Sequence, residues 1–503
     1  MATGSGRVER PDTLVVPLVV AGAPPDALRS RLIGLVEDVR AVEEAVAAIR
    51  LTEAGASARL ALPEGLEVVV VRAAADTVDD VRAYAMAAGR ACRRDRTVAV
   101  LPPLAQSRKA AEYVEGVAEG LVLGGYDFPG VAGLDGPEWD RLGSTASGSV
   151  SVVVPDELAD AVRRGEILGH AANIARVLVD TPSSHLGPQR LARACAELGD
   201  RYGFEVQVHA QTKLERLGFG GLVGVGRSSV NPPVLVELRS GPTDQPHVAL
   251  VGKGITFDAG GLSLKPTSGM LTMKADMSAA AAVLGAVMAT ARLAPDVPVR
   301  AYLACAENLP GPHALRIGDV ITHHDGSTSE ITDADCEGRL VLADAVSYAA
   351  SQAPLQLVDI GTLTSSSGLG PDLWAGFGSD DVVAELLAAG AASGERGWAM
   401  PLWEPYRHGL ASPVADQRNF DPDMTQPYGG ILAALYLSRF AGEIPWGHVD
   451  LGLTVMRHSE DVYWSAGANG RGARTLARYL LARPASGSAS SSASGTASRS
   501  VTS

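Results

Sequence analysis

From residue 180 to residue 483 the chain alternates short apolar, strand-length runs with Ala-rich runs of helical length, and few folds accept that alternation. Strand candidates are Glu205–His209, His247–Gly252, Val299–Leu303, Gln356–Ile360 and Trp446–Leu451. Between them lie helical stretches, the clearest being Ser278–Arg292, which is built mostly of alanine, the best helix former. The pattern predicts an α/β domain with a central mixed sheet flanked by helices. In such sheets, binding sites form in the loops beyond strand ends.

The 503 residues are too many for one ordinary core. Residues 1–155 repeat the alternation on a smaller scale, with strand-like Thr13–Val20, Glu67–Val71 and Thr97–Leu101 and a helix-spaced Asp26–Arg50. They read as a smaller N-terminal α/β domain without a cluster of His, Cys or carboxylates. A Gly/Ser stretch at Gly143–Gly148 and a short strand at Ser151–Val154 mark its end. A connecting helix should fill 156–180 and stop before Thr181-Pro182, because the residue before a proline disfavours helix. The larger second domain then spans 181–484. The Ser/Ala/Gly tail 485–503 has no apolar periodicity and is expected to be disordered.

Charge and cysteines narrow the function. Asp+Glu 57 against Lys+Arg 43 gives a net charge of −14, which argues against nucleic acid or an anionic membrane as partner. No uninterrupted apolar run of about 18 residues suggests a membrane span, and the first residues lack a signal-peptide pattern. The four cysteines, Cys92, Cys195, Cys305 and Cys336, are scattered and contain no C-x-x-C pair. A cytoplasmic location follows as the expectation.

Chemistry concentrates in two segments. In Val251–Pro266 an apolar strand delivers Lys253 and then Asp258, Gly260-Gly261 permit a sharp turn, and Lys265 follows. Asp276 stands at the start of the Ala-rich helix. In Ser329–Val346, Asp335 and Glu337 are two apart, so an extended backbone would place both on one face. Gly338 and Arg339 come next. Any single carboxylate is more often a solvated side chain or a helix cap than a ligand. Gly252–Gly254 lacks the context of a phosphate loop. His323-His324 reads as an exposed loop pair, and Cys336 as a small buried residue facing away from its neighbours. Taken together, four carboxylates near two lysines and an arginine ask for compensating positive charge, which two divalent cations would supply.

These residues resemble the leucine aminopeptidase (cytosol aminopeptidase) family. Its N-T-D-A-E-G-R-L stretch reads Asp333-Ala334-Asp335-Cys336-Glu337-Gly338-Arg339-Leu340, and its K-G-x-T-F-D-x-G-G-x-x-x-K and M-K-x-D-M elements are nearly complete between Lys253 and Met277. The resemblance implies a metal-dependent aminopeptidase that hydrolyses the N-terminal residue, leucine-like or broadly apolar, through a water bridging two metals. It places one ion on Asp258, Asp335 and Glu337, and the other on Lys253, Asp258, Asp276 and Glu337. Zinc or manganese, with magnesium also able to bind, would fill these sites. Lys265 and Arg339 become the catalytic cations, Arg339 holding a bicarbonate as general base. Met273, Thr362, Ser365, Gly452 and Val455 become the side-chain pocket. Peptides with a free N-terminus are the implied partners and a homohexamer the implied assembly. Departures are Asp333-Ala334 for Asn-Thr, Cys336 for Ala, Ala279 for Gly, and Ser365-Ser366 for Gly-Ala. They leave two alternatives: a member specialised for one dipeptide or conjugate, or a DNA-binding or regulatory protein on the same scaffold.

Overall fold

The computed structural model describes residues 11–19, 32, 35–62, 65–73, 77–95, 97–101, 109–128, 130, 149–364, 368–423, 428–461 and 463–483. The Gly/Ser stretch 143–148, Ser365 and the tail from 485 lie outside these residues.

The N-terminal sheet consists of β1 (Thr13–Val19), β2 (Ser57–Ala61), β3 (Glu67–Ala73), β4 (Thr97–Val100) and β5 (Ser149–Val152), in the order β2-β3-β1-β4-β5. β2 is antiparallel to β3, and the other pairs are parallel. Its buried valines pack against α1 (Val39–Ala48), α2 (Val78–Ala91) and α3 (Ala110–Gly124). The 22-residue α4 (Ala159–Asp180) stops at Thr181, the residue before Pro182. It packs on α3 and on the Ala-rich α6 of the second sheet, defined below.

α5 (Pro188–Tyr202) leads into that sheet. Its strands β6 (Glu205–Ala210), β7 (Val234–Ser240), β8 (Val248–Asp258), β9 (Val299–Asn308), β12 (Gln356–Gly361), β13 (Trp374–Gly378), β14 (Gly397–Ala399) and β16 (Trp446–Asp450) form an eight-stranded sheet ordered β14-β13-β16-β12-β8-β9-β7-β6. The four central strands are parallel, β13 and β7 run antiparallel to them, and β6 pairs antiparallel with β7, so the sheet is mixed. β7 had no counterpart among the sequence-based strand candidates. Smaller pairings join β10 (Val320–Thr322), β11 (Thr328–Glu330) and β15 (Gln417–Arg418), and also β17 (Met456–Arg457) and β18 (Gly467–Ala468). α6 (Ser278–Leu293) lies on one face with α10 (Ala473–Leu481), and α7 (Gly338–Ala350) and α9 (Gly429–Ala441) lie on the other; α8 (Asp380–Ala392) borders α10.

By length and hydropathy Met273–Leu293 could cross a membrane, but 83% of its most apolar window is buried inside the protein. That burial marks a core helix, packed between the sheet and α4. The C-terminal ends of β8, β9, β12 and β16 all point the same way, and the segments leaving β8, β12 and β16 meet at one cavity with the turn before α7.

Candidate active site

Lys253 and Asp258 are five residues apart on β8. In a regular strand that odd spacing would send them to opposite faces. β8, however, carries an irregularity between Ile255 and Phe257 that sets one extra residue against β9. The extra residue resets the alternation, and both side chains enter the same cavity.

Asp258 is fixed from one side. Its Oδ1 accepts from Asn308 Nδ2 at 2.8 Å and from the Gly260 N–H at 2.9 Å, which turns Oδ2 toward Lys265 Nζ at 2.9 Å. Asn308 also donates to the Ala334 carbonyl at 3.0 Å, so one amide ties the β8, β9 and Asp335 segments together. Sequence reasoning assigned Asn308 no role, because its pairing with Asp258 appears only in the register of β8 with β9. Gly260 has φ +87°, and a Cβ there would sit 2.4 Å from the Ser263 carbonyl oxygen.

Asp276 lies in the short 3-10 turn Met273–Met277 just before α6. Its Oδ1 receives Thr362 Oγ1 at 2.7 Å and Lys253 Nζ at 2.9 Å. Its Oδ2 is buried without a hydrogen-bond partner among the described residues. Lys253, only 3% exposed, also reaches Glu337 Oε1 at 2.7 Å and the Thr362 carbonyl at 3.1 Å.

Asp335 and Glu337 are not on an extended stretch, as their spacing had suggested. They occupy a turn running into α7, with Glu337 immediately before its first residue. The turn is shaped by side chains. Asp333 Oδ1 accepts from the Asp335 N–H at 2.9 Å, and Asn419 Oδ1 accepts from the Thr332 N–H at 2.8 Å. Asp333, a departure from the family pattern, thus spends one oxygen on the backbone. The turn still brings ligand oxygens of Asp258, Asp335 and Glu337 within 4.8 Å of one another. Lys265 Nζ bridges Asp258 and Asp335, at 2.9 and 2.7 Å. Arg339 is buried on the first turn of α7, with Nη1 donating to the Asn419 carbonyl at 2.8 Å.

The cavity has a volume of about 460 Å³. All seven expected metal and catalytic residues line it, as do Met273, Thr362, Gly452 and Val455. Ser365 falls outside the described residues. Cys336 corrects its expectation: it is partly exposed and lines the cavity, because the turn removes the alternation that would have pointed it away. Met456 and His458 also line the wall, although nothing in their spacing marked them. His323 is a second correction. It is buried, with Nδ1 2.8 Å from Asp344 and Nε2 2.9 Å from both Ser329 and Tyr436, so it is a core residue rather than an exposed one.

The loops that form the wall share an anchor. Asp450, fully buried at the end of β16, accepts from the Leu363 N–H at 3.0 Å, the Gly452 N–H at 3.1 Å and Thr364 Oγ1 at 2.6 Å.

The electrostatics are those of an acid cluster held by two ammonium groups. Burial pushes the Asp276 carboxyl up to about 6, despite Lys253 beside it. Burial, reinforced by Asp258, raises Glu337 well above the carboxylate range. Burial opposes the Lys253 ammonium, but Asp276, Glu337 and Asp258 outweigh it and raise its pKa. Four carboxylates meet two ammonium groups here, and one carboxylate oxygen is an orphan. A cluster of hard oxygen donors short of positive charge fits divalent cations.

Comparison with known proteins agrees with the geometry. Residues 173–477 match the catalytic domain of the cytosol aminopeptidase family. A probable cytosol aminopeptidase of Roseiflexus castenholzii is 38% identical over 412 residues, covering 80% of this chain and 83% of that protein. One from Leifsonia xyli subsp. xyli is 40% identical over 390 residues, covering 74% and 76%. Among solved structures, the bottromycin maturation enzyme BotP in complex with Mn has a TM-score of 0.79 at 35% identity, covering 94% of this chain and 99% of that one. The cytosol aminopeptidase from Coxiella burnetii has a TM-score of 0.76 at 27% identity, covering 95% and 98%. The chain therefore belongs to the cytosol aminopeptidase family and is a peptidase.

Proposed function

We propose that the protein is a metal-dependent aminopeptidase that releases apolar N-terminal residues from peptides. The observation that carries this reading is the convergence of Lys253, Asp258, Asp276, Asp335 and Glu337 on one cavity, with Asp276 Oδ2 left unpartnered. These five residues would hold two divalent ions, zinc or manganese, with magnesium a further occupant. When bound, such ions would lower the pKa of a coordinated water and offset charge developing on a carbonyl oxygen.

The chain's own residues supply the rest. Burial works against the Lys265 ammonium, yet Asp258 and Asp335 outweigh it and raise its pKa, so at neutral pH it carries a proton to donate. From the cavity wall it can donate a hydrogen bond to the oxygen of the scissile carbonyl, which strengthens as that oxygen gains charge. Arg339 supplies the fixed cation for a bicarbonate, the general base that family resemblance implies. Acidic side chains at the cavity floor favour a positively charged or metal-seeking amine, which selects a free N-terminus. Met273, Leu363, Val455 and Met456 offer apolar contact to its side chain, with Thr362 and Gly452 beside them; Ser365 is proposed to complete the pocket. Resemblance to the family supports a cytoplasmic homohexamer.

A second reading is a member specialised for one modified peptide, favoured by the likeness to a bottromycin maturation enzyme. A panel of aminoacyl amides and dipeptides separates the two: broad apolar turnover supports the first, and turnover confined to one substrate the second. The shared requirement is a free amine. Leucyl amide should be hydrolysed and N-acetyl-leucyl amide left intact; equal cleavage of both would contradict the aminopeptidase reading.

A further inference from the structure

Behind the wall of the active-site cavity lies another cavity, of about 260 Å³. β17 and the chain at Pro371-Asp372 separate the two. Met456 lines the first and Arg457 the second, as side-chain alternation requires. Pro371 and Asp372 divide in the same way.

Four arginines line this second cavity, and their partners differ. Arg474 is paired with Glu119 and with Glu395. Arg396 meets Asp79 at 3.2 Å. Arg457 has Asp461 at 3.3 Å and Asp372 at 3.9 Å, but its Nε is buried with no hydrogen-bond partner among the described residues. Arg471 has no carboxylate within the 4.0 Å ion-pair distance among the described residues; its Nη1 donates only to the Asp372 carbonyl. Arg471 is half-buried on the cavity wall, and a guanidinium there without a carboxylate partner can donate a charge-assisted hydrogen bond to a bound anion. Burial lowers the Arg471 pKa, in keeping with incomplete compensation. Glu395 and Asp372 on the lining exclude a large polyanion, and Trp464 adds an aromatic wall.

We propose that this cavity binds one small oxyanion, a carboxylate or inorganic phosphate, through Arg471 and Arg457, and that β17 couples its occupancy to the substrate cavity. Anion binding is independent of how the active site performs its chemistry, whereas the coupling rests on the aminopeptidase reading.

The test is a titration of the full-length protein with inorganic phosphate and, separately, acetate, followed by calorimetry and by tryptophan fluorescence. One of the two should bind saturably at one per chain. Arg471→Leu should weaken binding at least tenfold, Arg471→Lys should retain part of it, and Arg339→Leu should leave it unchanged. Trp464→Phe should abolish the fluorescence response while calorimetric binding persists. Which anion binds identifies its source. Absence of saturable binding by the wild-type protein, or its loss in Arg339→Leu but not in Arg471→Leu, would overturn the site. Coupling predicts that saturating anion shifts the KM for leucyl amide in the wild type and not in Arg471→Leu; an equal shift in both would overturn that part.

Discussion

A Cβ added to Gly338 would sit 2.6 Å from Lys253 Nζ and 2.7 Å from Leu363 Cδ2, so the bare backbone at that position is what lets the lysine lie between Asp276 and Glu337. Gly338→Ala should therefore displace Lys253, lowering leucyl amide turnover at least tenfold and weakening metal retention, while the backbone, already helical there, loses little stability. Normal activity in that variant would show that Lys253 has no fixed role. Lys265→Met tests the other ammonium. A donor aimed at developing charge is worth roughly 10²–10³ in kcat, so kcat should drop by about that factor with KM little changed. A change confined to KM would mean that Lys265 only binds substrate. Glu337→Ala removes a carboxylate that faces both Lys253 and the Asp258–Asp335 pair, and steady-state assays should find turnover abolished.

Between elements, the anchor is the end of β16. Asp450 receives three donors from two loops, Leu363 and Thr364 on one and Gly452 on the other, and these loops carry much of the proposed side-chain pocket. Asp450→Asn leaves one oxygen and adds an N–H where donors already point. The cost should be about 2 kcal/mol of stability in chemical denaturation, with the KM for apolar aminoacyl amides raised about tenfold. A stability loss without any change in KM would reduce Asp450 to a purely structural residue. This anchor was not legible in the sequence, since Asp450 is one acid at the end of an apolar run. The proposed ligands were legible because Lys253–Met277 and Asp333–Leu340 are contiguous motifs. The means of their convergence was not. Spacing put Asp335 and Glu337 on an extended strand, whereas Asp333 and Asn419 hold a turn. Nor did spacing reveal the irregularity in β8, because an inserted residue shows only against the register of β9. His323 was misread for a related reason: its partners Asp344, Ser329 and Tyr436 come from three other elements. The alternation itself located five of the eight strands of the large sheet and the Ala-rich helix.

At the scale of the whole molecule, the N-terminal sheet's helices are tied to the catalytic side by a buried charge network. Glu119 on α3 contacts Arg82 on α2 at 2.8 Å, and Arg474 and Arg478 on α10. Burial alone would raise the Glu119 carboxyl, but the three guanidinium groups hold it down to about 2, below its usual 4.5. A depressed acid stabilises the fold above its unfolded pKa and loses that contribution as it becomes protonated. The contribution of Glu119 should therefore be level above pH 4.5 and fall as the pH drops toward 2. Glu119→Gln should cost on the order of 3 kcal/mol at pH 7 and flatten the acid limb, as denaturation at pH 7 and pH 3 would reveal; an unchanged acid limb would remove Glu119 from the explanation. For the proposed metal-dependent activity, metal stoichiometry is the decisive quantity. Protein stripped with a chelator should be reloaded stepwise with manganese or zinc while bound metal per chain and leucyl amide hydrolysis are measured on the same samples. The proposed two-ion site predicts negligible turnover in stripped protein and full activity only as loading approaches two ions per chain. Full turnover by the metal-free chain would contradict it.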